Sequence, residues 1–416
     1  MMRKILLVLV ILAANNTMFS QVETKIFPKG QGITIPFIRD LKQSTRVITL
    51  PDFDKEKMIK EDKEMEGCDV PFRFGKGFDV NVSLEDGDWQ NCENGRIWSL
   101  SVESDEAFSL NFIFNEIFLP KGAELYIINQ NCNIVYGPVT YNTIDKSDFF
   151  LTDIIPDSKV KILLFEPLEV KGKSKLSISR IVHGYKRVFV DMNGGLVGSS
   201  EPCNNDIACF PEYSIEAKAV ALVLLSSGVE LCSGSLVMTT DKSYKPYFLT
   251  AFHCVDTSKN GTISSAEKTD SENWLFKFNF RRNTCDNNSS IATCYTYNGA
   301  SFKAAYYNTD FALMEISTDL SQYSNRHTWL GWDRTGTPSS NGFSIHHPSG
   351  DVMKISFEND VFSSSSWNGT NNHWLVYFDD GVVEHGSSGS PFTTVQRNFS
   401  IRSADHYRSH SEDVLV

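Results

Sequence analysis

Three side chains, far apart in the chain, are of the types that acyl transfer by an activated serine needs: His253, Asp310 and Ser388. A serine hydroxyl is a poor nucleophile until a base takes its proton. An imidazole titrates near neutrality, so His253 is suited to accept that proton and return it to a departing amine. A buried Asp310 would hold the ring in one tautomer and stabilise the imidazolium that forms. Each lies in a short motif: Thr250-Ala-Phe-His-Cys254, Asp310-Phe-Ala-Leu313 and Gly386-Ser-Ser-Gly-Ser-Pro391, with Cys232-Ser-Gly-Ser-Leu-Val237 ahead of them. Small residues around Ser388 permit a tight turn. The backbone N–H groups of Gly386 and Ser388 are the candidate oxyanion donors, worth roughly 3–4 kcal/mol each in such sites. Cys232 and Cys254 flank the strand that carries His253, and a bridge between them would pin its loop.

Other chemistry-bearing groups read more plainly. The stretch from Asp256 to Glu267 matches a twelve-residue calcium loop. Its oxygen ligands would be Asp256, Ser258, Asn260, the Thr262 carbonyl and Glu267, with Gly261 at the sharp turn. The segment before it is the end of the His253 strand rather than an entering helix, so a solvated surface loop is the preferred reading and no metal or cofactor is expected. His346 and His347 are adjacent, and neighbours on a strand point to opposite faces, so they read as structural. His385 sits beside the serine turn, where packing and site-lining roles are both open. Cys68, Cys92 and Cys132 are an odd set, so at least one is free or intermolecular.

The elements that must position these groups are strands. From about residue 70 to 185 the pattern has period two, as in Phe78 to Leu84, Ile97 to Val102 and Phe108 to Phe114, with further runs at Ala123 to Ile128, Lys159 to Phe165 and Lys175 to Ile181. Alternation sends successive side chains to opposite faces, and short strands separated by turns predict a β-sandwich. His183 is the only histidine there and is expected to be structural. Asp191 to Ser200 is a Gly/Ser-rich junction, expected as an exposed linker open to proteolysis. Strands then recur at Ala219 to Leu225, Ser235 to Met238, Tyr247 to Ala251, Trp274 to Phe280, Phe311 to Ile316 and Asp351 to Phe357, so both halves are mainly β.

Compartment and partners follow from composition. Arg3 and Lys4, the apolar run Ile5 to Ala14, and polar residues leading to Ser20 form the three-part layout of a signal peptide over residues 1–20. The run is too short to span a bilayer. Secretion into an oxidising, extracellular space is expected, which permits disulfides among the nine cysteines. With 39 basic against 51 acidic residues the net charge is −12, which argues against a nucleic-acid partner. An apolar fraction of 41% in 416 residues is enough for two or three cores.

The order His253, Asp310, Ser388 is the chymotrypsin order of the triad. With Cys203-Asn-Asn-Asp-Ile-Ala-Cys209, Tyr247-Phe-Leu-Thr-Ala-Phe-His-Cys254, Gly331-Trp-Asp-Arg334 and Ile345-His-His-Pro348, the second half resembles the trypsin-like serine peptidases, and among them the bacterial lysyl endopeptidases, over about residues 198 to 391. The resemblance implies an all-β fold with a double β-barrel in residues 198–416. It implies a β-rich propeptide in residues 21–197, His253, Asp310 and Ser388 as the triad, and protein or peptide substrates. It also implies the disulfides Cys232–Cys254 and Cys209–Cys285, and a Cys203 that bridges to a cysteine beyond the serine motif.

That last partner is missing, since no Gly or Cys follows Gly389. Residues 391–416 depart from the family pattern, and Asp405, Glu412 and Asp413 lie in no matching context. A frameshift or truncation near residue 393 is the expectation, leaving a barrel that is incomplete at its C-terminus and a poor turnover of peptides. Cys294 is the remaining candidate partner for Cys203. In trypsin-like zymogens the new N-terminus pairs with an acid just before the nucleophile. Here Ser387 stands in that place, so the propeptide is expected to inhibit by steric cover. The competing expectation is a catalytically inactive, β-rich secreted binding protein.

Overall fold

The computed structural model describes residues 21–27, 35, 37, 46–144, 148–188, 200–286, 289–333, 336–367, 370–394, 402–403 and 414–415. The expected signal peptide and the junction up to residue 199 lie outside the described residues, as do 395–401, 404–413 and 416. Among the described residues the chain is all-β apart from two α-helices, Lys55–Glu64 and Ser265–Ser271, and short 3-10 turns.

The alternating stretches before the junction form two facing sheets. One runs through Val22–Ile26, Ile134–Thr140, Glu124–Asn129, Lys159–Pro167 and Gly95–Glu103, with Asp88–Cys92 and Val47–Thr49 paired on the last. The other is Phe150–Leu151, Ser109–Phe118, Lys175–Gly184 and Gly75–Ser83. Their inner faces share one core, in which Trp98, Leu100 and Val102 of the first meet Phe112, Phe114 and Ile178 of the second. His183 is buried, with Nδ1 2.7 Å from the Ser104 hydroxyl and Phe53 edge-on to its ring. Burial, with Lys55 adding, lowers its pKa to about 4.

After the junction an antiparallel run links Ala300–Tyr306, Phe311–Ile316, Tyr247–Ala251, Glu230–Leu236, Val220–Leu224, Leu275–Phe278 and Cys294–Asn298. Phe248, Phe276, Phe278 and Met314 fill its core. A second sheet orders Asn205–Asp206, Lys354–Glu358, Gly342–His346, Pro391–Thr394 and Arg402–Ser403. A third has Thr370–Val376 in the middle, paired with Ser363–Trp367 on one edge and Val414–Leu415 on the other.

The two β-rich stretches do not stand apart. Val22–Ile26 pairs on one edge with Cys294–Asn298 and on the other with Ile134–Thr140, so the first sandwich sheet and the post-junction run form one continuous sheet. A shared core puts Phe72, Phe74 and Leu151 against Leu222, Leu231 and Leu275. Sequence reading left Val22–Ile26 unassigned. Its alternation is only five residues long and follows directly on the apolar leader.

Candidate functional site

Strand pairing brings the base and its acid together. Ala251, the last residue of Tyr247–Ala251, lies opposite Phe311, the first residue of Phe311–Ile316. The residues beyond that pair are therefore at the same end of the ladder: His253 in the turn Phe252–Cys254, and Asp310 at the close of the turn Tyr307–Thr309. The Asp310 carboxylate takes two bonds from one residue. The His253 backbone N–H donates to Oδ1 at 2.8 Å, and Nδ1 lies 2.6 Å from Oδ2. Asp310 is fully buried, and it adopts φ 43°, ψ 36°, a left-handed conformation that Asp tolerates better than most residues. Its own carbonyl accepts from Phe252 N at 2.8 Å, which locks the two turns together.

Burial opposes a charge on the His253 ring. The Asp310 carboxylate more than offsets this by its charge and hydrogen bond, with Asp69 and Asp256 adding, and the pKa is raised above its ordinary value. With Oδ2 on Nδ1–H, the other ring nitrogen is the one left to serve as base.

Ser388 lies part-buried in a double turn, where Ser387 N donates to Glu384 O and Ser390 N to Ser387 O, both at 2.9 Å. Two glycines make the turn possible. Gly386 has φ +94° and Gly389 φ +81°. A Cβ on Gly389 would sit 2.3 Å from Thr250 Oγ1 and 2.7 Å from Ala251 N, so the turn abuts the strand that leads to His253. Ser233 clamps it. Its N–H donates to Ser388 O at 2.8 Å, and its hydroxyl donates to Gly386 O at 2.7 Å while accepting from His347 N at 3.1 Å. Thus His253 and Asp310 are in direct contact, and the Ser388 turn is seated on the same strand.

The sequence marked Cys232-Ser-Gly-Ser but gave Ser233 no task; nothing in its type distinguishes a clamp from a buried serine. Ser387 was missed in the same way. Glu384 N donates to the Ser387 hydroxyl at 3.2 Å, which is 2.7 Å from His346 Nδ1; His346 Nε2 is 3.1 Å from Ser356 Oγ, which donates to Val382 O. Every donor finds an acceptor when His346 carries its proton on Nε2. Burial, with His347 and Lys354 adding, lowers its pKa to about 3, so the ring is neutral. His347 stacks on Phe280 and places Nδ1 2.9 Å from Asp351 O.

Cys232 and Cys254 are bridged, with Cα atoms 6.5 Å apart, and so are Cys209 and Cys285, at 4.5 Å. Cys294 does not pair with Cys203. It is buried, 3.4 Å from Ala292 O, whereas Cys203 is exposed, and both are free thiols, as are Cys68, Cys92 and Cys132. Replacing Cys232 and Cys254 by serine should lower stability by about 3 kcal/mol, the usual size for a loop of this length. An unchanged urea midpoint would show that the turn carrying His253 holds without the bridge.

In the loop proposed for calcium, the carboxylates are engaged by their own chain. Asp256 accepts from Gly261 N at 2.7 Å and Asn260 N at 3.2 Å, and from the Ser258 hydroxyl. Asn260 Oδ1 accepts from Thr262 N at 2.9 Å. Glu267 accepts from Ser258 N and Ser264 N, each at 2.8 Å, and closes a capping box with Ser264 at the start of Ser265–Ser271. Burial works against its charge, but these bonds win and lower its pKa to about 2.

A buried His–Asp pair beside a Gly/Ser turn, on antiparallel strands tied by Cys232–Cys254, places the second half with the trypsin-like serine peptidases. The sequence matches the lysyl endopeptidase C-terminal domain over residues 197–404, half of the chain, and the protein belongs to that family. It is similar to the lysyl endopeptidase of Pseudomonas aeruginosa, at 26% identity over 260 residues, which is 59% of this chain and 54% of that protein. The chain thus spans about half the length of this curated relative. Among solved structures, the thermostable serine protease AL20 from an extremophilic microorganism overlaps 48% of this chain and 90% of its own, at 12% identity and a TM-score of 0.34. The protease Anisep of Arthrobacter nicotinovorans overlaps 48% and 88%, at 15% identity and a TM-score of 0.33.

Proposed function

We propose that the chain is the precursor of a secreted serine endopeptidase that hydrolyses peptide bonds through an acyl-enzyme and cuts after lysine, a preference supported by its relative, which is named a lysyl endopeptidase. The observation that carries this reading is the His253–Asp310 pair, at 2.6 Å, beside the turn that holds Ser388. Ser388 Oγ attacks the carbonyl carbon while His253 Nε2 takes its proton. The tetrahedral oxyanion is met by the Gly386 and Ser388 N–H groups. Collapse expels the amine, which receives the proton from His253. Water then repeats the sequence on the ester and frees the acid and Ser388. Asp310 stays ionised and steadies the imidazolium. The pro-region, residues 21 to about 197, serves as an intramolecular inhibitor.

The test is covalent. A fluorophosphonate should label the chain once it is cut in the junction, and Ser388→Ala should abolish labelling. A processed chain that resists the probe would remove the enzyme reading. Lysyl against alanyl peptide substrates then tests the side-chain preference.

A further inference from the structure

The strand Glu230–Leu236 has one edge paired with Val220–Leu224 over Leu231 to Ser235. Its other edge is shared by three segments. At one end Ser235 and Leu236 pair with Leu249 and Phe248, in the strand that leads to His253. In the middle Ser233 N–H holds the Ser388 carbonyl. At the other end Leu231 and Glu230 pair antiparallel with Phe72 and Arg73 of the pro-region, and Phe74 N donates to Val229 O at 3.0 Å. In a strand, alternate residues direct their N–H and C=O groups to the same edge, so Leu231, Ser233 and Ser235 face one way. Ser233 is a two-residue step along the strand from Leu231, about 7 Å. The pro-region therefore occupies the position on this edge next to the nucleophile.

The residues before Phe72 approach the turn itself. His385 Nδ1, one residue ahead of Gly386, is 3.3 Å from the Val70 carbonyl. Asp69 lies close enough to His253 to favour its charged form. The helix Lys55–Glu64 braces this segment from behind. Asp62 accepts from Arg73 Nε at 2.7 Å, Tyr185 Oη at 2.8 Å and Lys186 Nζ at 2.7 Å. A cavity of about 550 Å³ between helix and turn is lined by Met65, Glu66, Val70, Glu230, Glu384 and His385.

We propose that Asp69–Arg73 is a substrate-like strap: an extended strand of the pro-region laid along Glu230–Leu231, over the path that the departing half of a cleaved peptide takes from Ser388. The inference rests on the peptidase reading above and deepens it. It locates the inhibitory contact of the pro-region on the Leu231 edge. Affinity along such an edge comes from main-chain bonds, and specificity from the pockets that take alternate side chains. Phe72 fills one of them, in the core it shares with Leu222 and Leu231. Val70 carries no basic side chain, so the strap lies in the cleft of a lysine-directed enzyme without offering the residue that enzyme cuts after.

The strap is tested in the uncut, full-length protein by the rate of fluorophosphonate labelling at Ser388. Phe72→Ala removes a buried aromatic anchor and should raise the labelling rate by about 100-fold, the size set by large-to-small core changes. A synthetic peptide of residues 66–75 should slow it again, which also shows that the variant's cleft is folded. Arg73→Ala, which cuts the tie to the helix at a part-exposed position, should raise the rate in the same direction. Equal labelling of uncut wild type, Phe72→Ala and the chain cut between residues 189 and 199, all lost in Ser388→Ala, would overturn the strap and leave the peptidase reading intact. No labelling of any form, cut or uncut, would overturn the peptidase reading and the strap with it.

Discussion

Asp310→Asn should lower kcat about 10,000-fold with little change in KM, the loss expected when the triad base is left in the wrong tautomer. The bonding at this site predicts that tautomer. The His253 backbone N–H donates to Oδ1, so an amide at this position keeps its oxygen there and turns its NH2 toward Nδ1. Nδ1 must then accept, and the proton moves to Nε2, the atom that has to receive the serine proton. The pH profile separates this from simple misfolding. His253 acts as a base only when neutral, and its pKa is raised above the ordinary value, so wild-type kcat/KM should rise with pH through a midpoint above about 6.5. In Asp310→Asn burial remains while the main cause that raises the pKa is gone, so the residual activity should have its acid limb at lower pH. An acid limb that does not move would mean that another group titrates.

The His253–Asp310 pair and the nearby Ser388 turn were legible because chain order and residue type suffice to suggest them. A histidine, an aspartate and a serine in that order, each in a motif of small or apolar neighbours, are visible without coordinates. The paired spacing of Cys232 and Cys254 around the His253 strand was legible for the same reason. The strands Tyr247–Ala251 and Phe311–Ile316, read from the sequence as short apolar runs, fall within the same bounds.

What was hidden depends on contacts between distant segments. Ser233 and Ser387 have the same residue type as many surface serines, and only the seating of the Ser388 turn gives them work. Glu384 shows the same limit. Three residues before Ser387, it reads as one more acid. In the structure it is buried and accepts from Glu201 N at 2.7 Å and Ser349 Oγ at 2.6 Å, so it ties the chain just after the junction to the serine turn. Burial raises its pKa against the pull of those bonds. The continuity of the two halves was also hidden, because antiparallel partners can be hundreds of residues apart, as Val22 and Thr296 are.

A buried ion pair also crosses between the two halves. Lys277, in Leu275–Phe278, places Nζ 2.9–3.0 Å from both oxygens of Asp153 in the first half, and each side chain is at most 2% exposed. Asp153 also accepts from Ile154 N at 2.8 Å and from the Thr24 hydroxyl in the linking strand, so the pair joins three distant segments. Removing one partner strands a charge where water does not reach it. Asp153→Ala should therefore cost about 3–5 kcal/mol, several times the worth of a surface pair. Asp153→Leu with Lys277→Met removes both charges and should recover most of the loss, because apolar replacements of a buried pair are often neutral or better. Urea unfolding of the three proteins measures this. Hydrogen exchange at Val22–Ile26 shows whether the linking strand loosens first, as it should if the pair anchors the first half to the second. A loss of about 1 kcal/mol or less in Asp153→Ala would place the pair with solvated surface bridges and leave the packing of the two halves to apolar contacts such as Phe72 and Phe74 against Leu222 and Leu231.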